Sequence, residues 1–325
     1  MRSAFFLKVQ SKHNKNLIHL VVITAVFLSL FFPLNQNPYF LHLMVLFLLN
    51  VLIGQSWNIL GGYAGQVSFG NAIFYGVGAY CAALLATKAG SPIWVCMIAS
   101  MITAVLFSLP FGLLTFHLKG SYFVVGTTAA AEIFRLLALN LRKVTGGPSG
   151  ILMKPIYTSR TPFYFMIVGF AALVTLTILL LERSKAGLYF QAIRESQDAS
   201  EALGIDTTKY KLFALCLSAA FAGLAGGFYT YYMSYIDPNI VFGMSISSTM
   251  ILVVTVGGYG TAFGPFAGAL IITMISEIFR RYLRGAHLFA YGALLVLIPI
   301  FMPNGIAGII REGIKLPSFR KKEAS

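Results

Sequence analysis

Four of the ten carboxylates in this chain, Glu195, Asp198, Glu201 and Asp206, crowd into twelve residues. They punctuate the run Gln191-Ala-Ile-Arg-Glu-Ser-Gln-Asp-Ala-Ser-Glu-Ala-Leu-Gly204, which reads as one short helix. Glu195, Asp198 and Glu201 then form a row at i, i+3 and i+6, and Arg194 precedes Asp198 by four, a same-face pair. Ala192, Ile193, Ala199, Ala202 and Leu203 supply the apolar positions, mostly small. Gly204 is placed to end the helix, and Asp206 or Thr207 to cap the next one. A polar helix with small apolar and charged faces suits docking into a groove on a soluble partner. It suits an ordinary solvated linker equally well.

Two further acids stand in apolar surroundings. Glu132 has Arg135 three residues on, so the two share a helix face and can pair. Such a pair inside a span is either a pathway element or a buried pair that fixes helix orientation; the second is the expectation. Glu277 lies close to Arg280, Arg281 and Arg284, which places it near an interface. Glycine runs interrupt the apolar pattern twice, at Gly61-Gly62-Tyr63-Ala64-Gly65 and at Gly257-Gly258-Tyr259-Gly260. Each is followed by a Phe-Gly pair, Phe69-Gly70 and Phe263-Gly264, which hints at an internal repeat of the kind transporters use. With Ser68 and Asn71 beside the first, Gly65, Gly70, Gly257, Gly258 and Gly260 are candidate pathway or packing residues. Gly61/Gly65, Gly223/Gly227 and Gly264/Gly268 are small residues four apart, a spacing that lets helices approach closely in lipid.

Catalytic machinery is missing. No GxxxxGK[ST] occurs, and Gly146-Gly147-Pro148-Ser149-Gly150 lacks the lysine that would reach a phosphate. No Ser/His/Asp or Cys/His set has a plausible context, and no HExxH is present. Cys81, Cys96 and Cys216 read as small buried hydrophobes, and the five histidines show no metal-ligand spacing. No cofactor and no metal are expected, and any ATP that drives this chain is hydrolysed by another. Few acids at membrane depth argue against a proton-coupled pump, while sodium coupling through unwound carbonyls stays open.

The elements that would position these groups are membrane spans. The chain is 58% hydrophobic and 10% charged over 325 residues, with mean hydropathy +0.79. Soluble chains run at about 45–50% apolar and about 25% charged. The fold class is all-α, a polytopic transmembrane bundle of about ten spans (eight to ten), near 17–34, 39–60, 63–86, 92–116, 121–140, 162–182, 212–235, 243–257, 264–284 and 286–303. Net charge is +14, but the basic residues sit at the ends of apolar runs, the pattern of topology signals and not of nucleic-acid binding. The domain reading is a cytoplasmic segment 1–16, a transmembrane domain 17–303 with a cytoplasmic segment 183–211, and a basic cytoplasmic tail 304–325. Six spans before 183–211 and four after it keep all three basic segments inside. The loop 141–161, with Arg142, Lys143, Lys154 and Arg160, then falls outside against the charge rule.

Several segments, in order, resemble the LivM-type permease subunit of branched-chain amino-acid ABC importers. They are Ser56-Trp-Asn-Ile-Leu-Gly-Gly-Tyr-Ala-Gly-Gln-Val-Ser-Phe-Gly-Asn-Ala72, Gly76-Val-Gly-Ala-Tyr80, Leu118-Lys-Gly-Ser-Tyr-Phe123, Ala131-Glu-Ile-Phe-Arg135 and Thr145-Gly-Gly147. After these come Ala192-Ile-Arg-Glu195 to Glu201-Ala-Leu-Gly-Ile205, Leu217 to Gly227, and Gly257-Gly-Tyr-Gly-Thr261 with Gly264-Pro265. The likeness covers roughly 45–310. It departs at Asn71, where a His is common, at Trp57, where a Leu is common, and before Arg194, where an arginine-rich run is common. The resemblance implies a permease that pairs with a second homologous permease in the bacterial inner membrane. Two ABC ATPase subunits would bind its cytoplasmic face, and a periplasmic substrate-binding protein would deliver the cargo. It implies that Ile193, Arg194, Glu195, Asp198, Ala199, Glu201, Ala202 and Gly204 form the coupling helix against an ATPase. The same family includes urea and amide importers. An autonomous secondary transporter or channel is the other reading of the composition, and it has no need of 191–204.

Overall fold

The structure, a computed structural model, describes residues 37–282 apart from Lys119. The expected spans 17–34 and 286–303 and the two basic ends lie outside the described residues. Lipid offers no partner for a peptide group, so long apolar runs satisfy their backbones internally as helices. Helix α1 (Pro38–Trp57) starts on the side chain of Asn37, which accepts from the Tyr39 N–H, with Pro38 in the first turn. It continues as a π-helical turn, Asn58–Tyr63. Helices α2 (Asn71–Lys88), α3 (Ile93–Thr115), α4 (Ser121–Asn140) and the short α5 (Arg142–Thr145) follow. After them come α6 (Thr161–Arg183), α7 (Lys185–Glu195), α8 (Gln197–Ala202) and α9 (Thr207–Met233). The short α10 (Pro238–Val241), α11 (Met244–Gly257) and α12 (Gly264–Tyr282) complete the described chain. Strands β1 (Ile151–Leu152) and β2 (Tyr235–Ile236) pair antiparallel, with Ile151 opposite Ile236.

Six stretches among the described residues are long and apolar enough to cross a membrane: Pro38–Tyr63, Ile93–Thr115, Ser121–Asn140, Thr161–Arg183, Thr207–Met233 and Pro238–Gly257. Gly264–Phe279 is a shorter apolar helix. The expected third span, 63–86, is not one helix. Its first part, 64–70, is non-helical, and α2 begins only at Asn71.

Two ends of the bundle can be told apart by contacts. From one end to the other, α1 meets α12 and the loop before it in antiparallel order. Tyr39 Oη donates to Glu277 at 2.5 Å, Asn50 Nδ2 to Thr273 Oγ1 at 2.9 Å, and Gln55 Nε2 to the Ala262 carbonyl at 2.5 Å. The Tyr39 end also holds Arg160, whose Nη1 donates to the Pro38 carbonyl, and the basic loop 141–161 lies there. Helices α7 and α8 sit at the opposite end, with Arg194 on the Gly62 carbonyl and Glu182 on Tyr63.

Packing centres on α9 against α2 and α3, and small residues make it tight. A Cβ at Gly226 would overlap the Tyr75 carbonyl oxygen, and one at Gly78 would overlap the backbone of Gly223. Ser100 Oγ donates to the Gly78 carbonyl at 2.8 Å and Thr230 Oγ1 to that of Ala79 at 3.1 Å. Dispersion and such hydrogen bonds take the place of hydrophobic driving force inside lipid. The Gly223/Gly227 and Gly264/Gly268 pairs do serve helix contacts, Gly268 lying against the Val253 carbonyl. Gly61/Gly65 does not: Gly61 makes room for the ring of Trp57, and Gly65 for the backbone of Arg194.

Candidate functional site

The expected single helix 191–204 is two helices. Ser196 adopts extended backbone (φ −159, ψ 114), and its Oγ accepts from the Ala199 N–H, capping α8. A serine that bonds the local backbone competes with helix continuation. The row Glu195, Asp198, Glu201 is therefore divided, with Glu195 ending α7 and the other two on α8. Glu201 accepts from Gln197 Nε2 at 2.8 Å and from Thr207 Oγ1 at 2.6 Å. Gly204 closes α8: its N–H reaches the Glu201 carbonyl and that of Ile205 reaches Ser200, the double bond of a Schellman motif. Asp206 caps α9 through the Lys209 N–H. Ile193 is buried, while Glu195, Asp198, Ala199 and Ala202 are exposed.

Arg194 and Asp198 stand on different helices, α7 and α8, so the same-face spacing of one continuous helix does not hold. Arg194 Nη1 donates to the Gly62 carbonyl at 2.7 Å and rests against Gly260, where a Cβ would overlap it. Gly65 (φ +70) and Gly260 (φ +63) hold backbone conformations that side chains rarely adopt, and both lie on Arg194. The two glycine runs, some 195 positions apart in sequence, thus meet at one arginine. They are also tied to each other. Asn58 Nδ2 donates to the Thr261 carbonyl at 2.9 Å, and Asn58 Oδ1 accepts from the Gly260 N–H at 3.0 Å. Gly258 caps α11 through the Val254 carbonyl, and Gly257 lets the Gly264 backbone approach. Helices α1 and α11 both run into the breaks from the same direction. Nearby, Tyr63 Oη donates to Glu182 Oε1 at 2.5 Å. Replacing Asn58 with Ala removes both amide bonds at a site with no exposure and lowers stability by about 2 kcal/mol. A thermal midpoint unchanged by Asn58→Ala in detergent would show the bonds are dispensable.

The first break leads back into the bundle. Trp57 Nε1 donates to the Ser68 carbonyl at 2.7 Å, and Ser68 Oγ accepts from the Gly70 N–H. Three helices then supply hydroxyls to the start of α2. Thr127 Oγ1 of α4 accepts from the Phe69 N–H, and Ser247 Oγ of α11 donates to the Phe69 carbonyl at 2.5 Å. Ser218 Oγ of α9 accepts from Asn71 Nδ2 at 2.9 Å. Ser218 is eleven residues into α9, about 16 Å from its start, so α2 begins inside the bundle and not at its end. Ser68 and Asn71 are fully buried, and a Cβ at Gly70 would press on Phe111. The Oδ1 of Asn71 has no partner.

Glu132 and Arg135 do pair, Arg135 Nε and Nη2 donating at 2.9 and 2.5 Å. The pair is not buried, however: the Glu132 side chain is 54% exposed. Arg135 Nη1 also donates to Asn239 Oδ1 of α10. Sequence reasoning missed Gln55, Asn58, Thr127, Ser218 and Ser247. Lys211, in the basic segment 183–211, is 3% exposed, bonded to Gln197 Oε1 and lying over the Phe116 ring. Amides at 55 and 58 inside an apolar run were the available signal, because a polar group at depth must find partners.

A helical bundle with several membrane-length apolar helices, broken where polar backbone is enclosed by neighbours, defines a multi-pass membrane protein of the transport class. Residues 39–299 match the family described as branched-chain amino acid transport system / permease component, and the chain belongs to that family. It is 29% identical over 304 residues to the high-affinity branched-chain amino acid transport system permease protein LivM of Salmonella typhimurium, covering 84% of this chain and 71% of that protein. Against LivM of Escherichia coli it is 27% identical over 327 residues, 91% of this chain and 76% of that one. Against a probable LivH permease of Methanocaldococcus jannaschii it is 28% identical over 200 residues, 59% and 58% of the two chains. No solved structure matches the chain.

Proposed function

We propose that this permease is the membrane subunit of an ATP-driven ABC importer for branched-chain or related hydrophobic amino acids. It resides in the bacterial inner membrane and forms the translocation path with a second, homologous permease. Two ATPase subunits bind the face that carries α7 and α8, which is cytoplasmic together with the segments 1–16 and 304–325. A periplasmic binding protein delivers substrate to the face that carries 141–161. The chain performs no chemical step; its work is to change shape when the ATPases do. The observation that carries this reading is a polar pair of short helices between two spans, joined through Arg194 to both glycine breaks. A self-sufficient carrier has no use for it.

The test is co-purification from membranes that express the neighbouring ATPase and permease genes, with leucine uptake into vesicles. Both partners are expected to come down with the tagged chain, and uptake is expected to need ATP and to survive collapse of ion gradients. Uptake that follows a sodium or proton gradient without ATP would replace this reading with a secondary transporter. Cysteines at Ser196 and Ser159 check the sidedness. Ser159→Cys should react with an impermeant reagent in intact cells, and Ser196→Cys only after permeabilisation.

A further inference from the structure

The orientation of α4 is set by a stripe of Phe123, Thr127, Ala131 and Ala138, which face the bundle and are buried. The opposite stripe, Tyr122, Val125, Ala129, Glu132, Ile133 and Leu136, is exposed. Its spacing of three and four residues makes it one continuous face. Only 22% of the apolar stretch of α4 is buried, against 72% for the spans that contain α1 and α9. Glu132 lies in the middle of this face, about 16 Å from one end of α4 and about 12 Å from the other. A glutamate side chain is too short to bring its carboxylate out to the headgroups from there, as a lysine can. Arg135, the cation paired with it, is also held by Asn239, so the pair is fixed in place. A hydrated ion pair on a lipid-facing surface at this depth is a costly arrangement, and charges in spans face protein or water.

We propose that the α4 face around Glu132 and Arg135 is covered by the second permease, and that this pair lies at the boundary between the two subunits. The inference rests on the two-permease reading above and assigns its contact surface. Val125, Ala129, Ile133 and Leu136 supply an apolar contact with small and large side chains interleaved, which suits close helix packing. The ion pair supplies the polar centre and asks for a polar or charged group on the facing helix. Of the three partners in the reading, only a membrane-embedded one can reach this depth. That excludes the ATPases and the binding protein.

The experiment uses the full complex in native membranes. A photo-crosslinking amino acid replaces Ile133, and in a separate chain Leu176, which is exposed on α6. Ile133 is expected to crosslink to the second permease at least five-fold more than Leu176. A crosslink from Ile133 to another copy of this chain, to a segment within the chain, or to lipid alone would overturn the assignment. A companion double variant, Glu132→Gln with Arg135→Met, keeps side-chain size close and removes both charges. It is expected to cut co-purified second permease at least five-fold, while the chain itself accumulates in the membrane at its normal level. Normal co-purification would place the pair away from the boundary. If the unmodified chain brings down no second permease, the proposed function fails. If it does and Ile133 stays silent, only this inference fails.

Discussion

Ala199→Trp leaves the chain inserted and folded but reduces co-purified ATPase to below about a tenth, a loss of about 1.4 kcal/mol or more of association free energy. ATP-dependent uptake falls with it. The residue is exposed on α8, so an indole there meets nothing in the bundle. Its methyl is small enough for a groove to close over the helix, and a ring in that place holds the partner off. Glu195→Ala should cost only part of the association, since rim charges are screened and contribute little. The readings are a pull-down for the ATPase and leucine uptake in vesicles. Both intact in Ala199→Trp would show that α8 is not the docking element, and the secondary-transporter reading would gain.

A different failure is expected of Arg194→Ala. The ATPase still binds and hydrolyses ATP, yet leucine imported per ATP drops at least tenfold. A tenfold change corresponds to about 1.4 kcal/mol of coupling. Arg194 joins α7 to the Gly62 carbonyl and lies against Gly260, so the variant keeps the docking surface and cuts its link to the breaks. Arg194→Lys should recover part of the coupling, because an ammonium can reach one carbonyl but lacks the planar fork. Parallel loss of ATPase binding in Arg194→Ala would mean the arginine acts at the partner surface and not behind it.

Much of this arrangement is legible in the sequence. Apolar runs mark out the six membrane-length helices among the described residues. The glycine runs mark the breaks. What pattern alone does not carry is which distant elements meet. Nothing near Asn71 names Ser218 or Ser247 as its neighbours, and nothing near Gly62 names Arg194. The division at Ser196 is readable in principle, since serine is a favoured N-cap and competes with helix continuation. On α4 both stripes are largely apolar, so periodicity cannot say which one faces inward. The exposure of Glu132 emerges only from packing. Nor does the basic segment 183–211 reveal that Lys211 is buried, its Nζ bonded to Gln197 and lying over the Phe116 ring.

The interior start of α2 has a consequence for how the protein is made. The Phe69 carbonyl is satisfied by Ser247, 178 residues further on, and Asn71 by Ser218, 147 residues on. A ribosome delivers Phe69 and Asn71 long before either partner exists. Lipid cannot stand in for them, since each unsatisfied peptide group there costs several kcal/mol. The stretch 64–70 therefore waits in water, or within the insertion machinery, until α11 has emerged. This crossing is completed out of the order in which it is synthesised.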